Sequence, residues 1–227
     1  MLNYFRADCY RLFSGAKAWL RVLVLIALPP AAIIAAKSQY TLEQIRAAAP
    51  AAIYLAFILL ALSLNEFVFG EEKRHGVFKN DTTNGISRSA LFLTKFFTSV
   101  FLETALWVLA SAACALALAY LSGTASIGRC FAQMFSCQAL LWLVQTIFYI
   151  ALFQTIRAFA DRISVLILVC AMLGTIYARL RDLILWASPA FAAVMGGENI
   201  AVELAVLITG ILAVLYIGCR LFRRSEF

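Results

Sequence analysis

Histidine occurs once in this sequence, as His75, and no Cys-x-x-Cys pair exists, so the usual ligand set of a zinc site is missing. The six cysteines, Cys9, Cys114, Cys130, Cys137, Cys170 and Cys219, are irregularly spaced and most sit inside apolar runs. That placement suits small packing residues rather than a disulfide frame or a metal cluster. Charged residues make up only 14% of the chain. They gather in short stretches, and no polar segment is longer than about 20 residues, which excludes a soluble domain. A P-loop is also absent. The nearest approach, Gly123 to Gly128, is followed by Arg129-Cys130 where Lys and Ser or Thr are required to hold phosphates.

What is present is apolar residue in long blocks: 64% of 227 residues, with a mean hydropathy of +0.90. Charge confined to the gaps between such blocks is the pattern of a chain whose solvent is lipid. The net charge of +7 does not form one amphipathic face. Its Lys and Arg residues flank the apolar blocks, as topology determinants and contacts for anionic headgroups do, and nucleic acid is not implied.

A helix needs about 20 mostly apolar residues to cross the hydrocarbon. The segments 19–36, 51–69, 90–121, 131–156 and 200–219 meet or approach this, and 163–178 is shorter but carries no charge. Ahead of them, Leu2, Phe5, Cys9, Leu12, Phe13 and Ala16 recur at helical spacing opposite Asn3, Arg6, Arg11, Ser14 and Lys17. Residues 1–18 are therefore expected to lie as an amphipathic helix in the membrane interface, the alternative being a cytosolic extension of the first span. The first apolar run has no small-x-small cleavage site before Lys37 and reads as a retained span. The expected fold is an all-α membrane protein, one domain over 1–227 with six transmembrane helices.

Positive charge orients it. With the N-terminus inside, Arg6, Arg11, Lys17, Arg21, Lys73, Arg74, Lys79, Arg88, Lys95, Arg157, Arg162, Arg220, Arg223 and Arg224 are cytosolic. Only Lys37, Arg46, Arg129, Arg179 and Arg181 fall outside, so both termini are expected in the cytosol. Segment 179–199 is apolar in places, but Pro189 and Gly196-Gly197 break it. Counting it as a span would put the last arginines outside. A re-entrant segment in the outer leaflet, buried against protein, is the expectation.

The largest internal polar loop is 70–89, GEEKRHGVFKNDTTNGISRS. It reads either as a solvated connector or as a docking element, with Glu71 and Glu72 for ion pairs and Val77 and Phe78 as an apolar anchor. Here the sequence resembles the membrane subunits of ABC-2 type (type V) ABC transporters, in which an acidic residue, a glycine, a Ser-Arg pair and a lysine entering the third span mark a loop that docks onto the ATPase. The matching residues are Glu71 or Glu72, Gly76, Ser87-Arg88 and Lys95. An interfacial first helix, a re-entrant piece before the last span and an aromatic-basic tail such as Leu221-Phe222-Arg223-Arg224 are shared features of layout. At this size the chain is most similar to the small permeases of bacitracin and lantibiotic self-protection systems and of toxin-peptide exporters.

The resemblance implies a multi-pass subunit in the bacterial cytoplasmic membrane. It also implies a coupling surface of Glu71, Glu72, Lys73, Arg74, His75, Gly76, Val77, Phe78, Arg88 and Lys95. Implied partners are two copies of a cytosolic ABC ATPase, which would carry ATP and Mg, and a second permease, identical or related. No cofactor is expected in this chain. Its substrates would be amphipathic peptides, antibiotics or other hydrophobic compounds.

Two carboxylates fall inside apolar runs, where each costs a few kcal/mol unless paired, hydrated or protonated. Glu66 is near the inner end of span two, within reach of headgroups and of Lys95. Glu103 is roughly 20 Å into span three, a depth that favours facing the bundle or a cavity. Gln138, Trp142, Gln145 and Tyr149 share one face of span four, either as polar glue between helices or, with Glu103, as the lining of a substrate path. Ser111, Ala115, Ala119 and Gly123 form a small-residue stripe for close helix contact, within one subunit or between two.

Two further classes compete. A secondary carrier would couple protons through Glu103, though such carriers show internal symmetry and more intramembrane charge. An intramembrane enzyme is the weaker fit. Glu71-Glu72 resembles the EExxxR start of CAAX-type proteases, but Gly76 stands where Arg is needed, His75 has no second His, and no Ser elbow exists.

Overall fold

A computed structural model describes residues 6, 10, 16–65, 68–69, 87–123, 126–159 and 200–224. Among them every regular element is a helix: α1 (Ala16–Ala36), α2 (Leu42–Asn65), α3 (Arg88–Ser122), α4 (Ile127–Met134), α5 (Cys137–Phe159) and α6 (Ile200–Arg224). Four stretches among the described residues are long and apolar enough to cross a membrane: Leu42–Leu62, Arg88–Ser122, Ile127–Ala158 and Leu204–Arg223. In lipid a backbone must satisfy its own polar groups, which is why blocks of this composition resolve into helices. Leu28, Leu59, Phe97, Leu116, Leu212 and Tyr216 are exposed, and so much uncovered apolar side chain has the character of a membrane protein.

The expected first span is α1, 21 residues that continue through Pro29 and Pro30. Its apolar part with described side chains, Ile26–Ala36, is short of a full crossing. The interfacial helix of 1–18, the loop 70–86, the span 163–178 and the re-entrant segment 179–199 lie outside the described residues, apart from isolated helical positions and the start of α1.

Helix α2 starts nine residues earlier than the apolar run, which moves Arg46 from an expected outer loop into a helix. The cause is local chemistry. The Thr41 N–H donates to Gln44 Oε1 (3.0 Å) and the Gln44 N–H donates to Thr41 Oγ1 (3.4 Å), a reciprocal capping box. Ser87 caps α3 in a simpler way, accepting from the Ala90 N–H (3.2 Å). The expected continuous span 131–156 is interrupted at Phe135-Ser136, where Ser136 Oγ accepts the Ala139 N–H (3.3 Å) and starts α5 anew. Helix α3 ends at Gly123, whose φ of +89° is the left-handed conformation of a helix stop.

The chain packs as two compact units. The first comprises Met1–Leu64 and Phe97–Ile147; the second comprises Asn65–Phe96 and Phe148–Phe227. In the first, Ser111, Ala115 and Ala119 of the α3 stripe are covered, so their close contact is made within the subunit, while the fourth member, Gly123, is exposed. There too, Pro50 has no N–H to give the carbonyl of Arg46 one turn earlier. Gln133 of α4 supplies the missing donor, its Nε2 lying 2.6 Å from that oxygen.

In the second unit, Phe69, Phe92 and Phe222 form a buried ring cluster with centroids 5.4 to 5.9 Å apart. Gly218 of α6 lets the helices close on one another. A Cβ there would stand 2.6 Å from Phe92 Cζ and would collide with Thr155 Oγ1. Thr155 donates to the Val214 carbonyl (3.3 Å), and Gln154 donates to the Phe92 carbonyl (2.7 Å). At the end of this unit Arg88 Nη1 donates to the Arg223 carbonyl and Arg223 Nη2 donates to Ser89 Oγ, both at 3.2 Å. The start of α3 and the close of α6 are thereby fastened together.

Candidate functional site: a carboxylate and an aromatic cleft on one face of α3

Four residues of α3 in the first unit follow one another at four-residue intervals: Ser99, Glu103, Trp107 and Ser111. An α-helix brings such positions onto nearly one face, about 6 Å apart along the axis. All four are buried, and Glu103 is 0% exposed. Neither carboxylate oxygen of Glu103 has a hydrogen-bond partner among the described residues, nor do the hydroxyls of Ser99 and Ser111. Native structures leave few buried polar groups in this state, because each costs on the order of 1–3 kcal/mol and a charged group more.

Trp107 and Ser111 open onto a cleft. Its other walls are Pro50, Ile53 and Tyr54 of α2, Met134 of α4, and Ala139, Trp142 and Thr146 of α5. The free space is about 10 Å³, room for one water. Tyr54 and Trp142 stack across it with centroids 5.4 Å apart and planes at 27°. Trp107 meets Phe135 edge-on at 5.5 Å. Thr146 turns its hydroxyl to the Leu143 carbonyl (2.8 Å), while the buried Ser111 hydroxyl of the lining has no partner among the described residues. Glu103 is not itself a wall of the cleft; it precedes Trp107, which is one, by a single helical turn. Chemically the combination favours a positively charged group.

Of the expected path residues, Glu103 is fully buried in the first unit, and Trp142 is a wall of the cleft. Gln145 is half-buried on α5 in the same unit. Gln138 belongs to α5, with a side chain outside the described residues. Tyr149 is in the second unit, stacked on Phe153 at 5.9 Å. Ser99 and Trp107 are not singled out by the sequence reading and Ser111 only as a packing residue, although their spacing from Glu103 in multiples of four is visible there; Tyr54 has no such signal.

Of the expected coupling residues, Glu71, Glu72, Lys73, Arg74, His75, Gly76, Val77 and Phe78 lie outside the described residues, as does Glu66. Arg88 is half-buried and engaged with Arg223. Lys95 is buried two turns into α3, inside the helix that corresponds to the expected third span. Among the described residues no group of three or more His, Cys, Asp or Glu side chains is placed to hold a metal ion. The chain matches no family model, no curated protein and no solved structure.

Proposed function

We propose that this chain is the membrane subunit of an ATP-driven exporter of amphipathic peptides, antibiotics or other hydrophobic compounds, coupled to a separate ATPase through loop 70–89. The observation that supports the reading best is the fastening of Arg88 and Ser89 to Arg223. It gives loop 70–89 and the basic end of α6 a common side once α3 and α6 both cross the bilayer. A nucleotide-binding partner in the cytosol then meets the acidic-basic loop and a firmly held helix start. Closure of two such partners would push on that start and shift the subunit between inward- and outward-accessible states. A second permease copy, or a related one, would complete the pathway.

Replacing Glu71 and Glu72 together by Ala is expected to abolish transport and ATPase co-purification while the protein still inserts and folds. Normal transport by the double variant would remove the loop from the mechanism. A second reading, a carrier driven by protons through Glu103, is favoured by the unpartnered burial of that carboxylate. Transport that survives ATP depletion and stops with an uncoupler would select it.

A further inference from the structure

Two observations remain after packing and helix capping are accounted for: three buried side chains of one α3 face without hydrogen-bond partners among the described residues, and a cleft to which that face contributes Trp107 and Ser111 and the neighbouring helices contribute Tyr54 and Trp142. A carboxylate inside a membrane bundle is expensive, and a structural role would provide it with a donor. Ser99 and Ser111, one and two turns away on the same face, offer hydroxyls that are likewise uncommitted. Tyr54, Trp107 and Trp142 add ring faces, the surfaces on which ammonium and guanidinium groups bind.

We propose that Glu103, Ser111 and the rings of Tyr54, Trp107 and Trp142 form a binding site for the cationic side chain of an amphipathic peptide. The inference rests on the permease reading and names the substrate class it leaves open. Lysine and arginine tips fit because each joins a charge to an apolar stem. The charge is neutralised by Glu103, and the stem lies against the rings. With space for only a water, the cleft as described is closed to such a group. Entry requires α2 and α5 to draw away from α3, a separation of the kind that accompanies a change of access.

The test uses the purified chain in nanodiscs of uncharged lipid, together with any ATPase that co-purifies. The probe is one fluorescent amphipathic peptide made in three versions that differ at a single side chain: Lys, Gln or Glu. Anisotropy titrations are expected to show the Lys version binding about tenfold tighter than the Gln version and the Glu version weakest. In Glu103→Gln the ratio of Lys-peptide to Gln-peptide affinity is expected to fall to about one, and Glu103→Asp is expected to restore most of it. Equal binding of the Lys and Gln versions by the unaltered protein, or a preference that persists in Glu103→Gln, overturns the cationic site and leaves the permease reading intact. Failure of every version to bind overturns the peptide site and leaves export of other hydrophobic compounds standing. The comparison of peptides on the unaltered chain needs no variant to fold.

Discussion

The contact between Gln133 and the Arg46 carbonyl yields a sharp test, because its reason for existing is a proline. In an uninterrupted helix the Arg46 oxygen would accept the N–H of residue 50, and Pro50 has none. The Gln133 amide at 2.6 Å is well inside hydrogen-bonding range and partly buried. Truncation to Ala therefore leaves a shielded carbonyl without this donor. Such a loss costs about 1–3 kcal/mol in a water-soluble core. Interhelical bonds in membrane proteins average nearer ~0.6 kcal/mol, so about 1 kcal/mol is the expected penalty for Gln133→Ala. Pro50→Ala returns an N–H to the helix, and in that background the same truncation should cost close to nothing. The coupling of about 1 kcal/mol is read from a double-mutant cycle, which cancels whatever else either change does to the cleft. Reversible unfolding of the four proteins in mixed detergent micelles supplies the four free energies. Additive effects of the two substitutions would refute the idea that the glutamine compensates for the proline.

Gly218→Ala is expected to destabilise the second unit by about 1–3 kcal/mol, since the added methyl meets the ring of Phe92 and Thr155. Gly210→Ala, whose Cβ would stand 3.2 Å from the Phe148 ring, is expected to be much milder, and thermal melts of the pair measure the contrast. Thr41→Ala removes one half of the capping box and is expected to cost about 1 kcal/mol, with Thr41→Ser nearly neutral in the same melts.

Much of the helical layout is legible from hydrophobic blocks alone. The expected span 90–121 corresponds to Arg88–Ser122 and 200–219 to Ile200–Arg224, because a run of apolar residues in lipid has no competing structure to adopt. What block reading misses is end chemistry. Thr41-x-x-Gln44 extends α2 across the polar residues Glu43 and Arg46, and Ser136 cuts one apolar run into two helices. Both signals are short polar patterns that a hydropathy window averages away. The stripe Ser111, Ala115, Ala119 announces close contact but not with what, since a small residue suits a neighbour in the same chain as well as one in another. That Glu103 faces the protein interior is also legible from its place in the apolar run. That it finds no hydrogen-bond donor among the described residues is a fact of three dimensions that no spacing announces.

The length of α3 has a consequence of its own. Its 35 residues extend about 52 Å, against roughly 30 Å of hydrocarbon. Leaning alone would need about 55° from the bilayer normal, beyond the range that spanning helices adopt. About ten residues must therefore stand clear of the lipid tails. Exposed Leu116 and Tyr120 suit contact with lipid. Near the other end of the helix Leu91, Phe92 and Phe96 are buried, Phe92 against the rings of Phe69 and Phe222. A helix that outlasts the hydrocarbon can carry such side chains beyond the lipid tails without showing them to water.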